Sequence, residues 1–135
     1  MKVLLVDDDE SICTAVTRLL QIERVDCEVA GDVDEALIRL LEAERRNIPY
    51  DMILLDLVLP GLAPEHLVQR VKWMAPPRPK VIIFSASMSA AEDARRMQAD
   101  GFLEKPFDLS RLLGVLGKGQ AGSFLASTDL RSRSL

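Results

Sequence analysis

Asp56 stands at the end of a short apolar run, Met52 to Leu55, and a Pro60-Gly61 pair follows it. A run of that length bounded by turn signals suits a strand buried on both faces. A carboxylate at its carboxyl end is a nucleophile, a metal ligand or both, and we read it as both. Three more polar features end candidate strands in the same way: Asp7 and Asp8, then Ser85, then Lys105. Each alone has a plainer use, because an Asp after a strand caps a helix, a Ser turns the chain and a Lys is solvated. Together they converge, since the strand ends of an open α/β sheet share one crevice. Three carboxylates in one crevice repel each other, and a hard divalent cation relieves that repulsion. Mg2+ fits: it takes one or two carboxylates, keeps several waters and completes its shell with phosphate oxygens. The Asp56 carboxylate could then attack phosphorus in line and become an aspartyl phosphate. The transferring group spreads charge over three oxygens. Mg2+ would hold one, the Lys105 ammonium a second, and the Ser85 hydroxyl with nearby backbone N–H groups a third.

The segments that must position these groups alternate in type. Residues 2–6, 27–30, 52–55, 80–84 and 101–104 read as strands, and 10–23, 34–46, 64–74, 90–98 and 109–116 as helices. Ile12, Val16, Leu19 and Leu20 form an apolar stripe on the first helix, and Leu37, Leu40 and Leu41 are expected to face inward on the second. Asp9 or a neighbour can cap the first helix, and Pro64 opens the third at a position that tolerates proline. Five such units of about 20–25 residues argue for an α/β fold, a doubly wound parallel sheet with helices on both faces. The Gly/Ser-rich stretch 118–135 carries no periodic stripe and reads as a flexible C-terminal tail on a domain spanning 1–117.

The totals exclude several classes. The 135 residues suit one domain, and the net charge of −4 gives no reason to expect direct nucleic-acid binding. No apolar run approaches the roughly 20 residues that span a bilayer, and residues 1–6 are too short for a signal-peptide core. Cys13 and Cys27 lack metal-site spacing and read as half-buried core thiols. A cytoplasmic protein is expected.

In combination and order, Leu4-Leu5-Val6-Asp7-Asp8-Asp9, Gly31-Asp32-Val33-Asp34-Glu35-Ala36-Leu37, Asp56-Leu57-Val58-Leu59-Pro60-Gly61, Ser85-Ala86 and Lys105-Pro106-Phe107 resemble the response-regulator receiver domain of two-component signalling. The resemblance runs from Lys2 to about Leu116. It implies a flavodoxin-like sheet of strand order 2-1-3-4-5, with Asp56 as phosphoacceptor. Asp8 would bind Mg2+ directly, Asp7 mostly through water, and the Val58 carbonyl would add a ligand. Ser85 would move toward the phosphoryl group and Lys105 would pair with it, while Phe102 takes the place of a switch aromatic. The Lys105-Pro106 peptide would be cis. The implied partners are a sensor histidine kinase or phosphotransfer protein and an effector acting in trans, or further chain in a longer protein. Recognition would use the fourth strand and helix with the fifth strand and helix, a surface that also allows a homodimer.

Three features depart from the family pattern. Ala63-Pro64 stands where a Gly is usual and stiffens the loop after Asp56. Val58 and Ser87 flank the path of a hydrolytic water, and an apolar Val58 offers that water no hydrogen bond, so slow self-dephosphorylation is expected. The fifth helix is short. His66, Arg95 and Arg96 read as solvated, and Trp73 as packing at the edge of the third helix. Two other functions compete: a degenerate receiver that binds proteins without phosphate, and an aspartate-nucleophile phosphohydrolase. The first is weakened because no acidic, hydroxyl or lysine position is lost. The second usually needs an acid where this chain has Val58.

Overall fold

The computed structural model describes residues 1–86, 89–105 and 109–117. Its elements alternate in the order β1 (Lys2–Val6), α1 (Glu10–Ile22), β2 (Asp26–Ala30), α2 (Val33–Arg46), β3 (Met52–Leu55), α3 (Pro64–Lys72), β4 (Lys80–Ser85), α4 (Ala90–Met97), β5 (Gly101–Glu104) and α5 (Leu109–Val115). The five strands form one parallel sheet of order β2-β1-β3-β4-β5.

Side chains alternate across each strand, and that alternation divides the core in two. Leu4 and Val6 with Ile53, Leu55, Val81 and Ile83 pack beneath α2, α3 and α4. Val3 and Leu5 with Leu54, Ile82 and Phe84 pack beneath α1 and α5. With both faces covered, the central strands read as continuous apolar runs rather than alternating ones.

Local chemistry sets the helix ends. The Asp9 carboxylate accepts from the Ser11 and Ile12 N–H groups and starts α1. Asp32 accepts from the Glu35 N–H, while Glu35 reaches back to the Gly31 N–H, a reciprocal cap on α2. Asn47 closes α2 in the left-handed region at φ 57°, a conformation Asn tolerates better than most residues.

Three expectations need correction. Ser85 is the last residue of β4 and not the first residue beyond it, because its carbonyl still accepts from the Lys105 N–H. Leu41 does not face inward: the buried stripe of α2 runs Val33, Ala36, Leu40, Ala43, and Leu41, about 100° around the helix from Leu40, is 61% exposed. Trp73 does not pack at its helix edge, since as C-cap of α3 it is 84% exposed. The expected tail at 118–135, the cis bond at Pro106 and the role of Ser87 fall outside the described residues.

Candidate phosphoacceptor and metal site

Asp7, Asp56 and Ser85 are the buried polar or charged side chains among the described residues, and all three lie at the carboxyl ends of strands. Their placement follows from the ladders. The Asp7 N–H continues the β1–β2 pairing onto the Ala30 carbonyl, and the Asp56 N–H continues β3 onto the Val6 carbonyl. The residues just past β1 and β3 are thereby brought side by side. Asp8 follows on the exposed side, and carboxylate oxygens of Asp7, Asp8 and Asp56 lie within 4.8 Å of one another.

Lys105 enters from β5 and balances two of these charges. Its ammonium stands 2.7 Å from Asp7 Oδ2 and 3.7 Å from Asp56 Oδ2. It also lies 4.6 Å from the centre of the Phe84 ring, which offers its π face to the cation. Asp7 Oδ1 accepts from the Asp9 N–H at 2.9 Å, so the turn into α1 orients that carboxylate. The Val58 N–H, at 3.4 Å from Asp56 Oδ1, points its dipole toward the second one.

Burial pushes the Asp56 carboxyl above the usual carboxylate range. Lys105 and the N–H groups of Val58 and Leu57 pull the other way, and Asp7 adds to the rise. A carboxylate so strained gains from any cation brought against it. The donor set is three hard oxygens on one crevice, which matches Mg2+ or Ca2+ rather than a softer metal.

Asp7, Asp8, Asp56 and Lys105 therefore come together. Ser85 is wholly buried one strand away from Asp56, at the end of β4. Phe102 is buried on β5 opposite Ile83, within the core under α4. The Val58 side chain points out and is 76% exposed. His66 is exposed on α3 and its Nδ1 lies 3.2 Å from the Ala63 carbonyl, away from the crevice. Cys13 and Cys27 are half-buried, as expected; burial raises both thiols to about 11, which leaves them protonated at neutral pH.

Two features were not anticipated. Phe84 forms an aromatic seat for Lys105, and its adjacency to Ser85 was the available signal. The Cys13 thiol lies 3.4 Å from the Asp7 carbonyl, where it packs α1 against the site; its place on the inner stripe of α1 was the only hint.

A sequence profile of the response regulator receiver domain matches residues 3–116, and the chain belongs to that family. It is 31% identical to the transcriptional regulatory protein DltR of Streptococcus agalactiae over 97% of this chain and 57% of that protein. It is 30% identical to the DNA-binding transcriptional regulator NtrC of Rhizobium meliloti over 88% of this chain and 24% of that one. The chain thus spans little more than half the length of DltR and about a quarter of NtrC. Among solved structures, the signal receiver domain of a response regulator from Bermanella marisrubri superposes with TM-score 0.72 at 28% identity, covering 85% of this chain and 93% of that one. The chemotaxis response regulator CheY4 of Vibrio cholerae gives 0.70 at 28%, covering 85% and 94%. Receiver domains serve two-component signal transduction and bind Mg2+ at an acidic pocket, and this chain has an acidic cluster at Asp7, Asp8 and Asp56. No helix among the described residues is long and apolar enough to cross a membrane.

Proposed function

We propose that the domain, residues 1–117, is a phosphorylation switch whose acceptor is Asp56. The reading rests chiefly on one observation: three carboxylates from two adjacent strand ends share a crevice in which Lys105 bridges Asp7 and Asp56. Asp7, Asp8 and Asp56 would hold Mg2+, with the Val58 carbonyl as a further ligand, and the ion would neutralise charge on the transferring group. An Asp56 carboxylate oxygen attacks phosphorus as the bond to the donor breaks, and the departing group keeps that electron pair. With a histidine kinase as donor, the broken bond is P–N and the imidazole takes up a proton. Lys105 already stands between the two carboxylates, so a modest shift carries its ammonium from Asp7 to a phosphoryl oxygen. The Ser85 hydroxyl covers another oxygen.

Drawing Ser85 toward the phosphoryl group frees space on β4 beside the Phe102 ring and biases a two-state face made of β4, α4, β5 and α5. That face would bind an effector or a second copy. The Phe102 ring has no hydroxyl, so recognition at this position is apolar. The chain acts as a cytoplasmic phosphoacceptor rather than a turnover enzyme.

Intact mass after incubation with acetyl phosphate tests the chemistry, with Mg2+ or EDTA and with Asp56→Asn. A single adduct that requires both Mg2+ and Asp56 supports the proposal. Adduct formation in Asp56→Asn at the wild-type rate, or none in the wild type with Mg2+, overturns it.

A further inference from the structure

The end of the sheet opposite the acidic crevice carries an opening that the switch does not use. α5 has only seven residues, and beside its last turn lies a groove of about 370 Å3. Its lining is apolar at Met1, Tyr50, Met52, Pro77 and Leu116 and charged at Asp51, Arg78 and Lys80. Its volume is at the small end of ligand-sized cavities, roughly 300–1,000 Å3, so it accepts one or two large side chains rather than a folded partner.

Gly117 belongs to the lining, so the rest of the chain leaves from within the groove. Its φ of 77° lies in the left-handed region, where the helix ends and the chain changes direction. The eighteen residues that follow, 118–135, are mostly Gly, Ser, Ala and charged types, with one adjacent pair of large apolar side chains, Phe124-Leu125. Seven residue steps lead from Gly117 to Phe124, a contour of about 23 Å. That length permits a return to the groove and keeps the pair there at an effective concentration in the millimolar range.

We propose that this groove is the docking site of the chain's own Phe124-Leu125 pair. A second copy or a separate protein would compete against that local concentration.

The test is methyl NMR on the full chain labelled at methionine, in the wild type and in the double variant Phe124→Ser, Leu125→Ser. Expected are nuclear Overhauser contacts from the Phe124 ring to the Met1 and Met52 methyls. The double variant should lose them and shift both methyl signals, leaving Met74 and Met97 in place on the other face of the sheet. Unmoved Met74 and Met97 signals serve as the check that the variant is folded. Absent contacts, or unchanged Met1 and Met52 signals in the variant, overturn the proposal. Signals that move with protein concentration assign the groove to a second copy and overturn it as well.

Discussion

Asp56 is costly to bury as an anion, and the cost has a measurable sign. In the unfolded chain its carboxyl ionises in the ordinary range, about pH 4; in the folded chain burial holds it higher. Folding is therefore unpenalised at this residue below pH 4, and the penalty is complete once the pH has risen through the folded value. Asp56→Asn should accordingly raise the urea midpoint at pH 7, and the gain should fade as the pH drops below 4. A midpoint gain that stays constant with pH would show that repacking, not charge, is responsible. Val58 makes a second prediction at this scale. Its exposed apolar side chain offers no hydrogen bond to water approaching the phosphoryl group. Val58→Asn should shorten the adduct's lifetime about tenfold, the effect of one hydrogen bond of about 1.4 kcal/mol in the transition state. Timed mass spectrometry of the decay reads this directly, and a wild-type lifetime of seconds would refute the slow-hydrolysis reading.

The elements are held by polar ties at their ends as well as by the core. The reciprocal cap at Asp32 and Glu35 fixes the start of α2, and Asp32→Ala should cost about 1 kcal/mol in chemical denaturation. At the other end of the sheet the Tyr50 hydroxyl, Lys2 and Arg39 converge on Glu28 of the edge strand β2. The Tyr50 bond, ahead of the two cations, holds the Glu28 carboxyl below its ordinary value. Tyr50→Phe should cost about 1 kcal/mol or less, because a third of the Glu28 side chain is exposed to solvent. Since the lowered carboxyl stabilises the fold only when ionised, that cost should begin to shrink once the pH drops below the ordinary carboxylate range and be gone once it has fallen through the folded value; a cost that does not shrink with acid would rule the charge out. Most elements were legible because their apolar periods are clean, as in Val16 and Leu20 of α1. Leu41 was misread because the sequence offers two overlapping stripes on α2 and only contact with α3 and the sheet selects one. Trp73 was misread because large apolar residues are expected to find cover, and α3 ends before any neighbour can supply it.

For the whole molecule, our reading of the acidic crevice links metal binding to folding. Mg2+ at one hundred times its dissociation constant should stabilise the chain by about 2.7 kcal/mol and raise the thermal midpoint by several degrees. Asp8→Ala should abolish most of that response, and EDTA should reverse it. An equal Mg2+ response in Asp8→Ala would place the ion elsewhere. That Asp7, Asp8, Asp56 and Lys105 lie together was readable from their positions at strand ends, but the strand order was not. Loops and helices of similar length join every pair of strands, so spacing alone does not say that β1 sits between β2 and β3. The family resemblance supplied that order. The partners of Lys105 were hidden for the same reason, because its bond to Asp7 joins residues 98 positions apart.

That separation also orders events during synthesis. Asp7 and Asp56 are translated well before the cation that stands between them. At about 5–20 residues per second, the 49 residues from Asp56 to Lys105 take roughly 2 to 10 seconds to make. For that interval the nascent chain carries its acceptor without the ammonium that our reading assigns to the transferring phosphoryl group. On that reading the last strand acts as a completion check: a truncated or unfinished chain would lack the ammonium assigned to the phosphoryl group, which is among the final parts of the domain to be made.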